Sequence, residues 1–204
     1  MPKSICMSKF ARRPGVFLLV VIAMLTYHRQ CPGQRVTSWR GEVGEWFDEA
    51  NWSNSIPSEN VSGRIPRGEV LVPAGTNQPA AFGLSVGRDL QQPAQATLSI
   101  EKTNLFVQTR LVVGESAGEE SIGKLTVSGD GKEAGSLFAE EVLVGSQQGT
   151  GFVEGLIDLG GSLMSSGKSP GKLQVGINQG RGSATGTVFA FGDIGEINRP
   201  FGEI

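Results

Sequence analysis

The sequence predicts an all-β fold. It reads as a right-handed parallel β-helix with a tryptophan-rich N-terminal cap, preceded by a cleavable leader helix. Three observations predict it. A tetrapeptide with Val-Gly at its end recurs as Leu84-Ser85-Val86-Gly87, Leu111-Val112-Val113-Gly114, Val142-Leu143-Val144-Gly145 and Leu173-Gln174-Val175-Gly176. Its Gly-to-Gly steps are 27, 31 and 31 residues, a period that belongs to solenoids and arrays. A second apolar signal follows fourteen residues after each of the first three tetrapeptides begins, at Leu98, Leu125 and Leu156. Thirty glycines punctuate the chain, and no long stretch repeats apolar residues at helical spacing.

Each repeat reads as three short strands. The first is the tetrapeptide. The second is Leu98-Ser99-Ile100, Leu125-Thr126-Val127 or Leu156-Ile157-Asp158, where apolar residues two apart share one face. The third, weaker, is Leu105-Phe106-Val107, Gly135-Ser136-Leu137 or Gly161-Ser162-Leu163. Stacking one repeat per turn places Val86, Val113, Val144 and Val175 in one internal ladder, and Leu84, Leu111, Val142 and Leu173 in the next. Val112 then points away from the core, toward solvent. The tetrapeptide glycines supply φ > 0, which other residues resist. The same strands also fit a generic antiparallel β domain with Gly-marked hairpins. The constant spacing of like residues argues for the coil.

The N-terminus predicts export. Lys3, Lys9, Arg12 and Arg13 precede an almost wholly apolar run at residues 16–27, too short for a spanning helix and right for a signal-peptide core. Cleavage is expected before Gln34. The alternatives are an uncleaved anchor through residues 16–27 and a lipid attachment at Cys31, against which the bulky His28, Arg29 and Gln30 argue. The expected organisation is a signal peptide at 1–33 and a cap with linker at 34–83. Repeats follow over 84–195 (84–110, 111–141, 142–172 and 173–195), with a frayed tail at 196–204. Within the linker, Glu69-Val70-Leu71-Val72-Pro73 reads as an incomplete first strand ended by proline.

Composition excludes several chemistries. The only histidine, His28, and both cysteines, Cys6 and Cys31, lie in the leader. A mature chain starting at Gln34 therefore cannot hold a Ser-His-Asp triad, a cysteine nucleophile, a thiolate metal site or imidazole-ligated zinc. It also has no disulfide framework. No cofactor is expected. Removing five basic leader residues leaves 13 basic against 20 acidic, moving the net charge from −2 to −7. Such a surface repels nucleic acid and anionic membranes. Membrane contact is expected only through an uncleaved leader.

Carboxylate chemistry stays open, since Asp/Glu pairs alone serve glycoside cleavage. Asp130, Asp158 and Asp193 fall in separate turns at unlike positions. Asp158 interrupts the apolar pattern of its turn and reads as a register shift or an outward residue. Glu119-Glu120 and Glu140-Glu141 read as solvated edge charges. Gly167-Lys168-Ser169-Pro170 lacks the upstream glycine of a phosphate loop and reads as a plain loop.

All three tryptophans, Trp39, Trp46 and Trp52, fall within residues 38–57. Large aromatic rings suit a cap over the open first turn of a solenoid. The alternative is a carbohydrate-binding platform of exposed rings. Gly44-Glu45-Trp46, Ala50-Asn51-Trp52-Ser53 and Pro57, followed by the repeats, resemble a group of exported bacterial proteins. These are the autotransporter-like and PEP-CTERM-associated β-repeat proteins common among planctomycete secreted proteins. The resemblance covers about residues 39–195. It implies a parallel β-solenoid passenger or surface region with no established chemistry, and this chain shows neither a Pro-Glu-Pro sorting signal nor a barrel translocator.

The expected function is an exported, non-enzymatic structural or adhesive solenoid of the cell surface, with polysaccharide or other surface components as partners. Two alternatives accompany it: a carbohydrate-active β-helix enzyme using carboxylates, and a sugar-binding module using Trp39, Trp46 and Trp52.

Overall fold

The structure is a computed structural model and describes residues 35–89, 92–129, 134–166 and 171–190. The expected leader, Asp130, the loop at 167–170 and residues 191–204, which hold Asp193, the end of the last expected repeat and the expected tail, lie outside these residues. Within them the chain is a parallel β-solenoid. Its strands in order are β1 (Arg35–Ser38), β2 (Val43–Glu45), β3 (Val61–Ile65), β4 (Arg67–Val72), β5 (Ala80–Ala81), β6 (Leu84–Arg88), β7 (Ala94–Glu101) and β8 (Leu105–Val107). They continue with β9 (Arg110–Ser116), β10 (Ser121–Ser128), β11 (Leu137–Phe138), β12 (Glu141–Gln147), β13 (Phe152–Leu159), β14 (Leu163–Met164), β15 (Lys172–Asn178) and β16 (Ser183–Ala190). The one described helical piece is a 3-10 turn at Glu49–Asn51. Among the described residues no helix is long and apolar enough to cross a membrane.

Three parallel sheets form the walls. The first runs β1-β3-β6-β9-β12-β15, the second β2-β4-β7-β10-β13-β16 and the third β5-β8-β11-β14. The expected ladder is present: Val86 lies opposite Val113, Val113 opposite Val144 and Val144 opposite Val175. Leu84, Leu111, Val142 and Leu173 stack likewise. On the second wall Val70, Leu98, Leu125, Ile157 and Val188 form one ladder, and Val72, Ile100, Val127, Leu159 and Ala190 form another. Leu105, Leu137 and Leu163 supply the third wall. Each fully buried side chain of this kind contributes roughly 1.5–3 kcal/mol. The hydrogen bonds between layers satisfy the backbone that this burial removes from water.

The coil begins earlier than its tetrapeptides suggest. Residues 61–81, within the stretch expected to link cap and repeats, form a complete turn of β3, β4 and β5, and β1 and β2 precede it in the first two sheets. Here Gly63 stands opposite Leu84 and Arg64 opposite Ser85, so the Leu-x-Val-Gly pattern is missing although the ladder continues through Ile65 and Val86.

Two expectations are corrected. In the third turn Ile157 and Leu159, not Leu156, face the core, because Leu125 pairs with Ile157 and Val127 with Leu159. The corner before β13 holds one residue more than the corner before β10: Gln147 pairs with Ser116, yet Val153 pairs with Ser121. Asp158 is therefore an outward residue opposite Thr126. Val112, expected to meet solvent, is only 6% exposed. It lies between Ser85 and Leu143 of the neighbouring layers, on the floor of an outer groove.

The tetrapeptide glycine does more than turn a corner. Gly87, Gly114, Gly145 and Gly176 have φ of 65–70° within otherwise extended strands. At each the strand bends until its backbone touches the second sheet. A Cβ on Gly114 would sit 2.3 Å from the carbonyl oxygen of Glu154. A Cβ on Gly123, across the seam, would sit 2.4 Å from the Gly114 nitrogen. The two walls close against each other here with no side chain between them. Past this seam the interior is polar: Ser116, Ser121, Ser146 and Gln147 are buried, and the Gln147 side chain amide accepts from Gly149 N at 2.9 Å.

Candidate functional site

The tryptophans are brought together, and they are buried. Trp39 N donates to Arg64 O and Trp46 N to Leu71 O, both at 2.8 Å. These bonds continue the registers of β1 on β3 and of β2 on β4. Trp39 thus heads the ladder of Ile65 and Val86, and Trp46 heads that of Val72 and Ile100. Trp52 meets both edge to face, with ring centres 5.3 Å from Trp39 and 5.2 Å from Trp46 at interplanar angles of 74° and 70°. Its indole N–H donates to Trp46 O at 2.8 Å.

Local sequence sets this arrangement. Asp48 caps the 3-10 turn by accepting from Ala50 N at 3.0 Å, which delivers Trp52 to the cluster. Ser53 and Asn54 then clip the free edge of β1. Ser53 N donates to Ser38 O at 2.8 Å, Ser38 N to Ser53 Oγ at 2.9 Å, and Asn54 Nδ2 to Val36 O at 3.0 Å. An open strand edge invites pairing with another chain, and this segment occupies it. No ring is more than 4% exposed. The indoles lie edge to face under cover rather than open and coplanar, so they offer no face on which a sugar can stack.

A concavity of the surface lies elsewhere. A groove of about 570 Å³ runs across the outer face of the first sheet. Its floor is Ser62, Ser85 and Val112, all buried. Phe82, Thr109, Arg110, Glu140 and Glu141 line one side, and Arg64 and Arg88 the other. The floor is low because the outward positions hold small residues, Ser62, Gly83 and Ser85, where neighbouring rims carry long ones.

The charges around the groove sort into two kinds. Arg110, Glu141 and Lys172 occupy one position in three successive layers. Arg110 Nε lies 2.5 Å from Glu141 Oε2, and Lys172 Nζ lies 3.3 Å from Glu141 Oε1. Arg88 pairs with the buried Glu115, which also accepts from Gln148 Nε2 at 3.0 Å. Arg64 and Glu140 are exposed and have no side-chain partner among the described residues, and neither has the Ser85 hydroxyl. One cation, one carboxylate and one hydroxyl are therefore available to a ligand, beside the apolar side chains of Phe82 and Val112.

This groove is not among the sites expected from the sequence. A signal was present: the residue before each tetrapeptide is Gly83, Arg110, Glu141 and then Lys172, an alternation of charge at the repeat spacing. Glu119 and Glu120 are exposed, as expected of edge charges. Among the described residues no group of three or more His, Cys, Asp or Glu side chains is placed to hold a metal ion. No protein-family profile matches the chain, and no curated protein or solved structure matches it.

Proposed function

We propose that this chain is an exported, non-enzymatic solenoid that acts as a structural or adhesive element of the cell surface. The observation that carries the proposal is the stacked coil with its sealed first edge. Six layers pair in continuous parallel sheets, and the segment around Trp52, Ser53 and Asn54 closes the starting edge. Such a body is stiff along its axis and presents most of its outward side chains for contact. The charged n-region and apolar run of the leader support export, and the resemblance to exported β-repeat proteins agrees with it.

The test is the fate of the whole chain in a bacterial host. N-terminal sequencing of the exported protein should begin close to Gln34, and external protease should reach the coil on intact cells. Met1 intact in a membrane fraction would replace the cleaved leader with an anchor. Retention in the cytoplasm would overturn the proposal. Reproducible breakdown of a polysaccharide by the pure protein would overturn its non-enzymatic part.

A further inference from the structure

We infer that the groove on the first sheet is a saccharide-binding site, selective for a sugar that carries a carboxylate, and that Arg64, Ser85 and Glu140 hold it. The inference deepens the adhesive reading by naming the partner's chemistry, and it moves recognition away from the tryptophans.

Three physical points lead to this ligand. The groove pairs apolar side chains with polar groups of both kinds. Val112 and Phe82 suit the C–H face of a sugar ring. The Glu140 carboxylate accepts from hydroxyls, and the Ser85 hydroxyl both donates and accepts. Arg64 offers a planar fork of donors that matches a carboxylate. Glu141 is held by Arg110 and Lys172, and Glu115 by Arg88, so neither of these carboxylates competes for it.

Other ligand classes fit less well. An extended peptide gains most of its affinity on a sheet by pairing with a free strand edge. In this groove the strands β3, β6, β9 and β12 are all paired on both sides, so only side chains face outward. A nucleic acid meets a chain of net negative charge. That same charge repels an acidic sugar at long range, though a short oligosaccharide carries far fewer charges, so binding rests on the short-range pairing at Arg64.

Titration calorimetry on the full exported chain tests the site. Tetragalacturonate and its carboxyl-reduced, neutral counterpart are the probes. The acidic form should bind, and the neutral form about tenfold more weakly or worse, as expected for loss of a charge-assisted hydrogen bond. Arg64→Gln should weaken the acidic form by a similar factor and abolish the preference. Ser85→Leu, which fills the floor, should weaken both forms. Arg181→Gln, an exposed arginine outside the groove, should change nothing. Thermal melts establish that each variant keeps the coil, and the Arg64 side chain is exposed, so its loss leaves the core intact.

Failure of both sugars to bind would overturn the inference, as would equal binding of the two or unchanged binding by Arg64→Gln. Tetraglutamate binding as well as the sugar would show that charge alone is read, which also overturns it. The titration uses purified protein, so its failure leaves the export reading standing, and failed export leaves the binding result standing.

Discussion

Gly155 lies against Gly145 so closely that a Cβ on Gly155 would fall 2.4 Å from the Gly145 nitrogen. This contact is the seam where the first and second walls meet, and it predicts a gradient along the coil. At Gly145 a Cβ would also lie 2.1 Å from Thr185 O, with φ at 67°. At Gly176 φ is the same, but among the described residues the nearest atom to an added Cβ is 3.7 Å away. Gly176→Ala should therefore cost only the left-handed backbone, about 1–2 kcal/mol. Gly145→Ala must in addition push two strands apart and should cost more than about 4 kcal/mol. Urea midpoints at unchanged slope measure the difference, and equal costs would mean that the seam does not exist.

The neighbouring pair Val113 and Val112 tests the ladder. Val113 is fully buried between Val86 and Val144. Val113→Asp buries a carboxylate without a partner and should destabilise by several kcal/mol or prevent folding. Val112 lies on the groove floor at 6% exposure. Val112→Asp should cost about 1–3 kcal/mol, more than a freely solvated position would, because the groove lets water reach the new carboxylate only partly. A cost for Val112→Asp as large as that for Val113→Asp would show that the floor is closed to water.

Tryptophan emission separates the cap from a sugar platform. With all three indoles buried, emission should be blue-shifted and resistant to iodide. Saturating tetragalacturonate should leave it unchanged. Trp52→Phe removes the hydrogen bond to Trp46 O and part of the packing against two rings. It should cost about 2–4 kcal/mol while leaving sugar binding in place. A spectral shift on sugar addition would return recognition to the tryptophans.

The charge ladder should be worth little. Arg110 and Lys172 are mostly exposed beside Glu141, so water and salt screen both pairs. Glu141→Gln should cost about 1 kcal/mol or less, and the cost should vanish in high salt. A larger effect that persists in salt would mark Glu141 as structural rather than as a screened surface charge.

What the sequence determined by itself is the coil and its main register. Parallel in-register stacking puts like residue on like residue, so Val86, Val113, Val144 and Val175 announce their contacts through spacing alone, and alternation along each strand says which side chains point inward. The glycine seam was half legible: Gly114 and Gly123, Gly145 and Gly155, Gly176 and Gly186 recur nine or ten residues apart, but only the folded chain shows that the partners touch. The tertiary structure alone decided the rest. One additional residue in the corner before β13 moved Ile157 inward and Asp158 outward, because a corner's length changes the phase of the strand after it. The burial of Val112, the groove beside it and the edge-to-face closure of Trp39, Trp46 and Trp52 depend on which outward side chains the layers set side by side. Concavity is a property of neighbours across layers, and no periodicity along one strand encodes it.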